Sequence, residues 1–374
     1  MHVRDDGSTV GIAHDYLTQR GGGERVVLAM TRAFPGAPVH TTLYEPGSTY
    51  PDFAAVDVRP SRLDAVGLLR RDHRRALPVL AWAAERVRPT EDVVVASTSG
   101  WAHGFSATGR VLAYCHAPAR WLHQSRDYLG GPLWGSPTGA ALGLLRPMLL
   151  RWDRRAADRP ERYLCNSRVV RDRIREAYGI DATVLPPPHG MDPDGVQQEV
   201  DGLADWSDGG YLLVVSRLLP YKNVDVLVEA VRGTRHRLVV IGAGPLRHTL
   251  AAHLPPNVRL LSGLTDAQMR WTYARAALLL APSLEDFGLT PLEAASFGVP
   301  SLSLRAGGYL DTIAEGVTGL HVHSPQPFLV RHGIDEALSH PWDATALREH
   351  AKGFSEAVFA ARLQAEVDAL LAVR

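Results

Sequence analysis

One stretch, residues 281–298, constrains the fold of this chain more than any other. The apolar run that leads into it, residues 276–281, predicts a buried strand, and a loop with Glu285 and Gly288 follows that strand. Thr290 and the proline after it are typical of a helix start, with the threonine as the cap. A helix that begins just beyond a strand end points free N–H groups and a positive dipole end at the space there, which suits a phosphate. The stretch therefore predicts an α/β domain with an anion site at this strand end.

Two glutamates of this stretch are candidates for ligand contacts. Glu285 lies on the loop and Glu293 lies in the first helical turn, so that both side chains can face the strand end. Each also has a structural alternative. Thr290 and Glu293 fit the spacing of a capping box, in which the glutamate returns a hydrogen bond to the backbone of the cap. Glu285 beside Asp286 equally fits a solvated loop, so the residues taken singly leave the alternatives open.

The pattern as a whole is more specific than its members. Residues 285–293 read Glu-x-Phe-Gly-x-x-x-x-Glu and are followed by Ala-Ala-Ser-Phe-Gly-Val-Pro. This resembles the donor-site signature of the retaining glycosyltransferases of family 4 (group 1), which include sucrose synthase and the mannosyltransferases of bacterial glycolipid and polysaccharide assembly. The resemblance implies the GT-B fold, an α/β fold in which two Rossmann-like domains face a central cleft. It also implies transfer of a hexosyl group from a nucleotide diphosphate sugar to a hydroxyl acceptor, with retention of configuration.

The resemblance assigns roles to the residues of the signature. Glu285 is expected to contact the sugar hydroxyls of the donor, and Glu293 its ribose hydroxyls. Further donor-binding positions are implied in the same motif and in the segment 261–264, whose backbone is expected to frame the nucleotide base: Phe287, Gly288, Leu289, Thr290 and Leu264. Backbone contacts of this kind do not identify the base.

The two lysines of the chain, Lys222 and Lys352, stand out because all other members of its 40 basic residues are arginine. Under such a bias, a lysine is expected where a compact ammonium group is needed. Arg217 and Lys222 follow a predicted strand, residues 211–215, where two cations can clamp a diphosphate. The run Arg-Leu-x-x-x-Lys-Asn also resembles the diphosphate clamp of the same family. Because these cations neutralise the diphosphate, we expect no metal ion and no other cofactor.

The N-terminal half offers a glycine-rich turn and a histidine, each after a predicted strand. Residues 9–13 predict the first strand, and Gly22 and Gly23 lie in the turn before the first helix, where N–H groups can approach an anion. The turn lacks the G-x-G-x-x-G fingerprint, which disfavours a dehydrogenase. The run Tyr-Cys-His-x-Pro-x-Arg resembles a segment of the bacterial branch of the family. The resemblance implies that the two glycines face the donor diphosphate, that His116 orients the transferred sugar, and that Arg120 contacts the acceptor.

Composition restricts the class of protein without naming a function. A chain of 374 residues is long enough for two α/β domains, and a formal net charge of zero gives no electrostatic reason to bind nucleic acid. Cys115 and Cys165 are too few for a disulfide framework and are expected to be buried thiols. No apolar stretch reaches the roughly 18 residues of a membrane span, so we expect a cytoplasmic protein.

An arginine-rich stretch, residues 59–88, has two interpretations. Leucines and Trp82 alternate with its arginines, as in a basic amphipathic helix. Such a helix can lie on an anionic membrane, or it can be the solvated face of a packed helix. Peripheral contact with the inner face of the membrane therefore remains open.

The order of elements predicts the domain organisation. We expect an N-terminal domain over residues 1–185, a linker over residues 186–210 that begins with three prolines, and a donor-binding domain over residues 211–354. Residues 344–373 predict a helix. The resemblance adds that the end of the chain, about residues 355–374, packs back on the N-terminal domain, which is expected to bind the acceptor.

No second carboxylate stands out as a covalent nucleophile, which favours a front-face mechanism in which the acceptor attacks beside the departing phosphate. Three alternatives remain: an epimerase or a phosphorylase on the same fold, and a nucleotide-sugar-binding protein without turnover. Release of the sugar to an external acceptor separates a transferase from the first two. The complete set of Glu285, Glu293, Arg217 and Lys222 disfavours the third.

Overall fold

The computed structural model describes residues 2–4, 7–71, 76–124, 137–206 and 210–372, and the chain forms two compact units. The first unit combines residues 1–187 with residues 357–374, and the second comprises residues 188–356. Each unit is built around its own sheet.

The first unit contains the strands β1 (His2–Val3), β2 (Thr9–His14), β3 (Val39–Thr41), β4 (Val58–Pro60), β5 (Val93–Thr98), β6 (Arg110–Cys115), β7 (Arg162–Cys165) and β8 (Thr183–Val184). Within the described ranges they form one sheet of eight strands. Seven of them are parallel in the order β4-β3-β2-β5-β6-β7-β8, and β1 pairs with β2 in the antiparallel direction. The order reverses between β2 and β5, which makes this the topological switch point of the sheet.

The second unit contains the strands β9 (Tyr211–Val215), β10 (Leu238–Ile241), β11 (Val258–Leu261), β12 (Ala276–Ala281), β13 (Ser301–Leu304) and β14 (Gly319–Val322). All are parallel, in the order β11-β10-β9-β12-β13-β14. This is the doubly wound order, and its switch point lies between β9 and β12.

Helices flank both sheets. They are α1 (Gly22–Ala33), α2 (Gly67–Arg71), α3 (Leu77–Ala84), α4 (Arg120–His123), α5 (Pro137–Ala157), α6 (Arg168–Tyr178), α7 (Val224–Val231), α8 (Arg247–Ala251), α9 (Asp266–Ala274), α10 (Leu289–Ser296), α11 (Tyr309–Thr312), α12 (Pro327–Ser339), α13 (Ala344–Lys352) and α14 (Glu356–Ala372). Short 3-10 turns occur at Pro51–Ala55, Arg62–Ala65, Ala102–Gly104, Ala204–Trp206 and Pro220–Lys222.

The cores lie on the two faces of each sheet. In β5, Val93 and Val95 pack on one face with α1, whereas Val94 and Ala96 pack on the other. This alternation follows from the two-residue period of a strand. The C-terminal helix α14 covers the first of these faces with four buried side chains at helical spacing, namely Phe359, Leu363, Val367 and Leu370. The end of the chain is therefore part of the core of the first unit.

Two predicted strands, residues 211–215 and 276–281, are confirmed. The strand predicted over residues 9–13 as the first is β2, since β1 precedes it, and it extends one residue further, to His14. The predicted helix start, with Thr290 as the cap, is wrong by two residues. Helix α10 begins at Leu289, and its cap is Gly288, which has a φ of 89°. The glycine turns the chain into the helix in a left-handed conformation, which other residues seldom adopt.

The long C-terminal helix predicted over residues 344–373 is two helices. A break at residues 353–355 separates α13 from α14. Gly353 favours this break, because glycine is a poor helix former, and Phe354 turns its ring towards that of Phe287 in the second unit. The break lies next to residue 356, where the chain leaves the second unit.

The segment assigned to a linker is partly packed. Residues 188–206 belong to the second unit and contribute core residues beneath its sheet: Met191, Val200, Leu203 and Trp206. Polar residues closely flank these apolar residues in the sequence, so the sequence pattern did not predict that the segment packs.

The arginine-rich stretch contains the end of β4, the 3-10 turn at Arg62–Ala65 and the helices α2 and α3, and its residues 72–75 lie outside the described ranges. Leu80 is fully buried, whereas the exposed fractions of Leu68 and Trp82 are 59% and 56%. Leu68 and Trp82 thus lie on the surface of the first unit. Both cysteines, Cys115 and Cys165, are buried thiols, as predicted.

Candidate functional site

The switch point of the second sheet collects the strongest candidates. The loop after β9 carries Arg217 and Lys222, and the loop after β12 carries Glu285. Because β9 and β12 are neighbours in a parallel sheet, their carboxyl ends lie side by side. Lys222 Nζ and Glu285 Oε1 form an ion pair there. The side chain of Lys222 is 10% exposed and that of Glu285 is 23% exposed, so the pair is largely shielded from water.

The carboxylate of Glu285 is supported by neighbouring hydroxyl groups. Ser283 Oγ donates a hydrogen bond to Glu285 Oε1 at 2.9 Å and lies 3.2 Å from the hydroxyl oxygen of Tyr309. Burial, and in second place the charge of Glu285, raise the pKa of Tyr309 well above its ordinary value, so the phenol stays protonated. The backbone carbonyl of Glu285 accepts a hydrogen bond from the Gly308 N–H at 2.8 Å. Backbone and side chain of Glu285 are therefore both held by the unit itself.

Phe287 and Gly288 serve packing first. A Cβ atom at Gly288 would lie 2.5 Å from the ring of Tyr309, so the glycine makes room for that ring. Phe287 is buried, and its ring centroid lies 6.2 Å from that of Phe354. Their side-chain positions are thus occupied by the core, and what they offer to a ligand is their backbone.

Glu293 is almost buried, with an exposed fraction of 6%. Its Oε2 accepts a hydrogen bond of 2.7 Å from the Tyr273 hydroxyl, and the Tyr273 ring stacks on Phe297 at 5.6 Å. No side chain caps α10, so the capping-box alternative for Thr290 and Glu293 is wrong. Burial lowers the pKa of His189, and the charge of Glu293 acts in the opposite direction, which places His189 in the electrostatic neighbourhood of this carboxylate.

Three predicted donor contacts lie at the edge of this region. Leu289 and Thr290 are half-buried in the first turn of α10, and Leu264 is half-buried against the core beneath the sheet. Nothing in their side-chain contacts marks them as ligand residues.

The two predicted clamp cations differ in their surroundings. Arg217 is exposed and donates a hydrogen bond of 3.3 Å to the Tyr221 hydroxyl. Lys222 Nζ lies 5.0 Å from the centroid of the same Tyr221 ring. The structure thus joins Lys222 to Glu285 directly, whereas Arg217 is linked to them through Tyr221.

Asn223 connects the two loops that carry Lys222 and Glu285. Of the residues that the structure describes, it is the one non-glycine residue with a positive φ, at 53°. Its Nδ2 donates a hydrogen bond of 2.8 Å to the backbone carbonyl of Pro282 in the loop after β12. Asparagine tolerates the left-handed region better than most residues, so one side chain supplies both the turn and the connection.

Substitutions of Asn223 should separate these two contributions. Asn223→Gly keeps the left-handed turn but loses the hydrogen bond from the side-chain amide to Pro282. Asn223→Ala loses both the hydrogen bond and the favourable turn conformation. We expect the alanine variant to be less stable than the glycine variant by roughly 1 kcal/mol, the cost of a left-handed alanine. Urea unfolding of both variants measures this difference. Equal stability of the two variants would show that the conformation of Asn223 carries no strain.

The switch point of the first sheet holds a second polar cluster, centred on Asp15. Its carboxylate accepts hydrogen bonds from three backbone N–H groups in the loop after β5, those of Ser99 at 2.6 Å, Trp101 at 3.0 Å and Ala102 at 2.7 Å. The hydroxyl of Thr98 donates to it as well, at 3.1 Å. Asp15 therefore fixes the loop that follows β5.

The predicted residues Gly22, Gly23 and His116 come together at this switch point. Gly22 and Gly23 open α1, whose cap, Gly21, provides no side-chain hydrogen bond. A Cβ atom at Gly23 would lie 3.6 Å from His14 Cε1 and 3.8 Å from His116 Nε2. Two imidazole rings thus lie against the start of α1. Arg120, the predicted acceptor contact, is half-buried at the start of α4.

A buried carboxylate anchors helix α4. Asp153 on α5 accepts a hydrogen bond from His123 Nε2 on α4 at 2.8 Å. His103 Nε2 lies 3.3 Å from its other oxygen, within ion-pair distance but outside hydrogen-bond geometry. Burial would raise the pKa of Asp153, but the two histidines outweigh it and lower that pKa to about 2. The pairing links the helix of Arg120 to the body of the unit.

Asp153→Asn should lower the free energy of unfolding of the first unit by roughly 2 kcal/mol at neutral pH. Because the pKa of Asp153 in the folded state, about 2, is below the ordinary value of 3.8, its contribution is present above about pH 4 and is lost as the pH falls towards 2. The free energy of unfolding of the variant should therefore depend less on pH between about pH 4 and pH 2. Urea unfolding at pH 7 and pH 3 measures both effects.

Asp158→Asn is a matched control, because Asp158 is an exposed carboxylate that follows the same helix. Its effect should stay within about 0.5 kcal/mol. Equal losses in the two variants would contradict a special role for Asp153.

Several residues of these clusters were not identified from the sequence. They are Ser283, Tyr309, His14, Asp15 and Ser97, which is the partner of His14 across β2 and β5, whereas Asn223 was noted only as the last residue of the clamp run. Four of them, His14, Asp15, Ser97 and Ser283, lie within two residues of the last residue of a strand, which is the signal that was available. The order of the strands in the sheet was needed to show which strand ends meet.

The family model described as "Glycosyl transferases group 1" matches residues 203–354, and the one described as "Glycosyltransferase Family 4" matches residues 20–194. The two matches together span most of both units. The chain belongs to the family 4, group 1 glycosyltransferases.

Among curated proteins, a GDP-mannose-dependent alpha-(1-6)-phosphatidylinositol monomannoside mannosyltransferase of Mycolicibacterium smegmatis is 28% identical over 205 residues, which are 48% of this chain and 54% of the relative. The D-rhamnosyltransferase WbpZ of Pseudomonas aeruginosa is 30% identical over 241 residues, 59% of this chain and 60% of the relative. The chain thus matches little more than half the length of these relatives.

Solved structures share the GT-B fold. Alr3699/HepE of Anabaena, crystallised with UDP-glucose, aligns over 96% of this chain and 100% of its own with a TM-score of 0.68 and 17% identity. Sucrose-phosphate synthase of Thermosynechococcus elongatus aligns over 98% and 100% with a TM-score of 0.70 and 16% identity. At these identities the likeness establishes the fold.

Two further observations concern metals and membranes. An Asp-x-Asp pair, Asp192 and Asp194, lies in an exposed turn, where Asp192 Oδ1 accepts a hydrogen bond from the Asp194 N–H at 3.1 Å. In the described ranges, no group of three or more His, Cys, Asp or Glu side chains is placed to hold a metal ion. None of the described helices combines the length and apolar character needed to cross a membrane.

Proposed function

We propose that this protein is a glycosyltransferase that moves a hexosyl group from a nucleotide diphosphate sugar to a hydroxyl acceptor, with retention of anomeric configuration. The observation that carries the proposal is the shielded pair of Lys222 and Glu285 at the switch point of the second sheet. This is the place where α/β sheets bind their ligands, and it combines a cation for a diphosphate with an acceptor of hydrogen bonds for sugar hydroxyls.

Charge stabilisation drives the proposed reaction. The bond between the anomeric carbon and the phosphate oxygen breaks, and the leaving diphosphate gathers negative charge, which Lys222, Arg217 and the N-terminus of α10 meet. The acceptor oxygen forms the new bond on the same face of the sugar, and its proton passes to the leaving phosphate oxygen. Two cations and a helix dipole make a metal ion unnecessary in this proposal.

The remaining residues hold the substrates. Glu285 binds the sugar hydroxyls, and Glu293, which Tyr273 positions, binds the ribose. His116 orients the transferred sugar, and Gly22 and Gly23 offer N–H groups to the diphosphate. The backbone of the other donor-binding residues completes the site: Phe287, Gly288, Leu289, Thr290 and Leu264.

The acceptor belongs to the first unit in this proposal, with Arg120 as a contact. One relative is named for an acceptor of the phosphatidylinositol type, so lipid-linked acceptors and peripheral contact of residues 59–88 with a membrane are included. Glycans and small natural products with a free hydroxyl are the other acceptor classes. In this proposal the protein works on the cytoplasmic side of the membrane, where it can encounter all three classes of acceptor.

A thermal-shift panel with UDP, GDP, dTDP and ADP tests donor binding. It must contain GDP and UDP, because one relative is named for GDP-mannose and one structural neighbour was crystallised with UDP-glucose. A ligand at about 100 times its Kd stabilises a protein by roughly 2.7 kcal/mol, which shifts the melting temperature visibly. A response to one nucleotide supports the proposal and names the base, whereas no response by folded protein overturns the donor site.

Turnover of the matching sugar nucleotide then separates the enzymes. A transferase releases the nucleoside diphosphate only with an acceptor, and NMR of the product should show the anomeric configuration of the donor. EDTA should leave the rate unchanged. An epimerised sugar still linked to the nucleotide, phosphorolysis, or binding without turnover would each replace the proposal by the corresponding alternative.

A further inference from the structure

Three side chains form a continuous hydrogen-bond chain at the switch point of the first sheet. His14 and Ser97 are direct partners across β2 and β5. His14 Nδ1 lies 3.1 Å from the backbone carbonyl oxygen of Ser97 and 3.0 Å from its Oγ. Ser97 Oγ lies 2.8 Å from His116 Nε2. Ser97 is fully buried and His14 is 4% exposed, so the contacts are sheltered from water.

The backbone carbonyl determines the direction of the whole chain. A carbonyl oxygen only accepts hydrogen bonds, so His14 Nδ1 must carry a proton to interact with it. That same N–H points at Ser97 Oγ, which accepts from it. The hydroxyl has one proton of its own to donate, and the nitrogen within reach is His116 Nε2. A neutral imidazole has one N–H, so the proton of His116 lies on Nδ1.

We infer that Ser97 is a positioning residue that sets the tautomer of His116. When its ring is neutral, as in the test below at pH 8, His116 is held through Ser97 with Nε2 as acceptor and Nδ1–H as donor. A sugar hydroxyl that His116 orients must then accept a hydrogen bond from Nδ1–H. The contact therefore selects for an oxygen lone pair. This part of the inference rests on the proposed function, whereas the tautomer itself does not.

The same argument predicts the state of His14. Its Nδ1 is protonated and its Nε2 is the acceptor, because the carbonyl of residue 97 is present whatever the side chain at that position is. Both rings lie against Gly23 at the start of α1. His116 therefore offers Nδ1–H as a donor, and His14 offers Nε2 as an acceptor. The direction of the hydrogen-bond chain determines this assignment.

Imidazole ¹⁵N NMR of the full-length protein at pH 8 tests the inference directly. The nitrogen shifts distinguish a protonated from an unprotonated ring nitrogen, and spectra of His14→Gln and His116→Gln assign the signals. We expect Nδ1–H for both residues in the unchanged protein. In Ser97→Ala, His116 should shift towards the Nε2–H form, while His14 should keep Nδ1–H as an internal control. Nε2–H at His116 in the unchanged protein would overturn the inference.

Steady-state kinetics supply the functional test. Ser97→Ala should lower kcat for sugar transfer about tenfold, the worth of one misdirected hydrogen bond, with unchanged nucleotide affinity. Ser97→Thr keeps the hydroxyl and should recover most of the rate if it folds as the unchanged protein does. An unchanged kcat in Ser97→Ala, with the tautomer altered in its spectrum, would overturn the orienting role. Absence of transfer in the unchanged protein would instead overturn the proposed function and leave the NMR result to decide the tautomer.

Discussion

Replacing Lys222 by alanine is expected to lower kcat/KM for sugar transfer by roughly 100- to 1000-fold, the usual cost of removing one preorganised group that stabilises developing charge. Lys222 is the shielded cation of the proposed site, and its ammonium group is paired with Glu285. A charge in such a place interacts more strongly with a leaving diphosphate than an exposed charge does. The loss should appear mainly in kcat, because the charge on the diphosphate grows in the transition state.

The chain provides a matched control for this experiment. Lys352 is the other lysine, its side chain is 71% exposed, and it pairs with Glu349 on the surface of α13. Lys352→Ala should leave the rate within about twofold of the original, since exposed ion pairs contribute little. Lys222→Arg tests geometry, because the planar guanidinium group does not replace a compact ammonium group. Equal rates of Lys222→Ala and Lys352→Ala would remove Lys222 from the mechanism.

Gly308→Ala should destabilise the second unit by about 3 kcal/mol. The backbone of Gly308, with φ −70° and ψ −13°, suits any residue, so the expected effect comes from packing alone. A Cβ atom there would lie 2.2 Å from the Cα of Phe287 and 2.5 Å from the carbonyl oxygen of Asp286. Both are backbone atoms and cannot move aside without shifting the loop that carries Glu285. Activity should therefore fall even under conditions in which the protein stays folded.

Gly47→Ala is the control for this substitution. A Cβ atom at Gly47 meets no atom within 4 Å, and its backbone does not have a positive φ. The unfolding midpoint in urea should be unchanged for Gly47→Ala and clearly lower for Gly308→Ala. If Gly308→Ala unfolded at the same urea concentration as the unchanged protein and kept full activity, the loop would be adaptable, and the fixed position of Glu285 would not matter.

The two substitutions address different requirements of the same site. In the proposed site Lys222 supplies charge. Gly308 allows the close approach of α11 to the loop of Glu285, and its N–H donates a hydrogen bond to the Glu285 carbonyl. A double substitution should lose no more activity than Lys222→Ala if the loop acts only by presenting Glu285 to that lysine. Additive losses would indicate that the loop has a separate role in holding the sugar.

The sequence by itself determined the class of fold and the residues of the donor motif. Apolar runs such as residues 276–281 form parallel strands that are buried on both faces, so these strands can be recognised from the sequence alone. The same holds for Arg217, Lys222, Glu285 and Glu293, whose spacing along the chain forms a recognisable pattern. These features are local, because each depends on residues within about one strand, loop and helix.

Only the tertiary structure decided which of these residues meet. Lys222 and Glu285 pair because β9 and β12 are neighbours in the sheet, although they are not consecutive in the chain. Thr290 and Glu293 fit a capping box by spacing, but Gly288 starts the helix earlier and Tyr273, from another helix, binds the glutamate. A sequence pattern records spacing along one segment, whereas these outcomes depend on contacts between segments. Strand order, and the close packing that it permits, therefore decided which side chains meet at the candidate site.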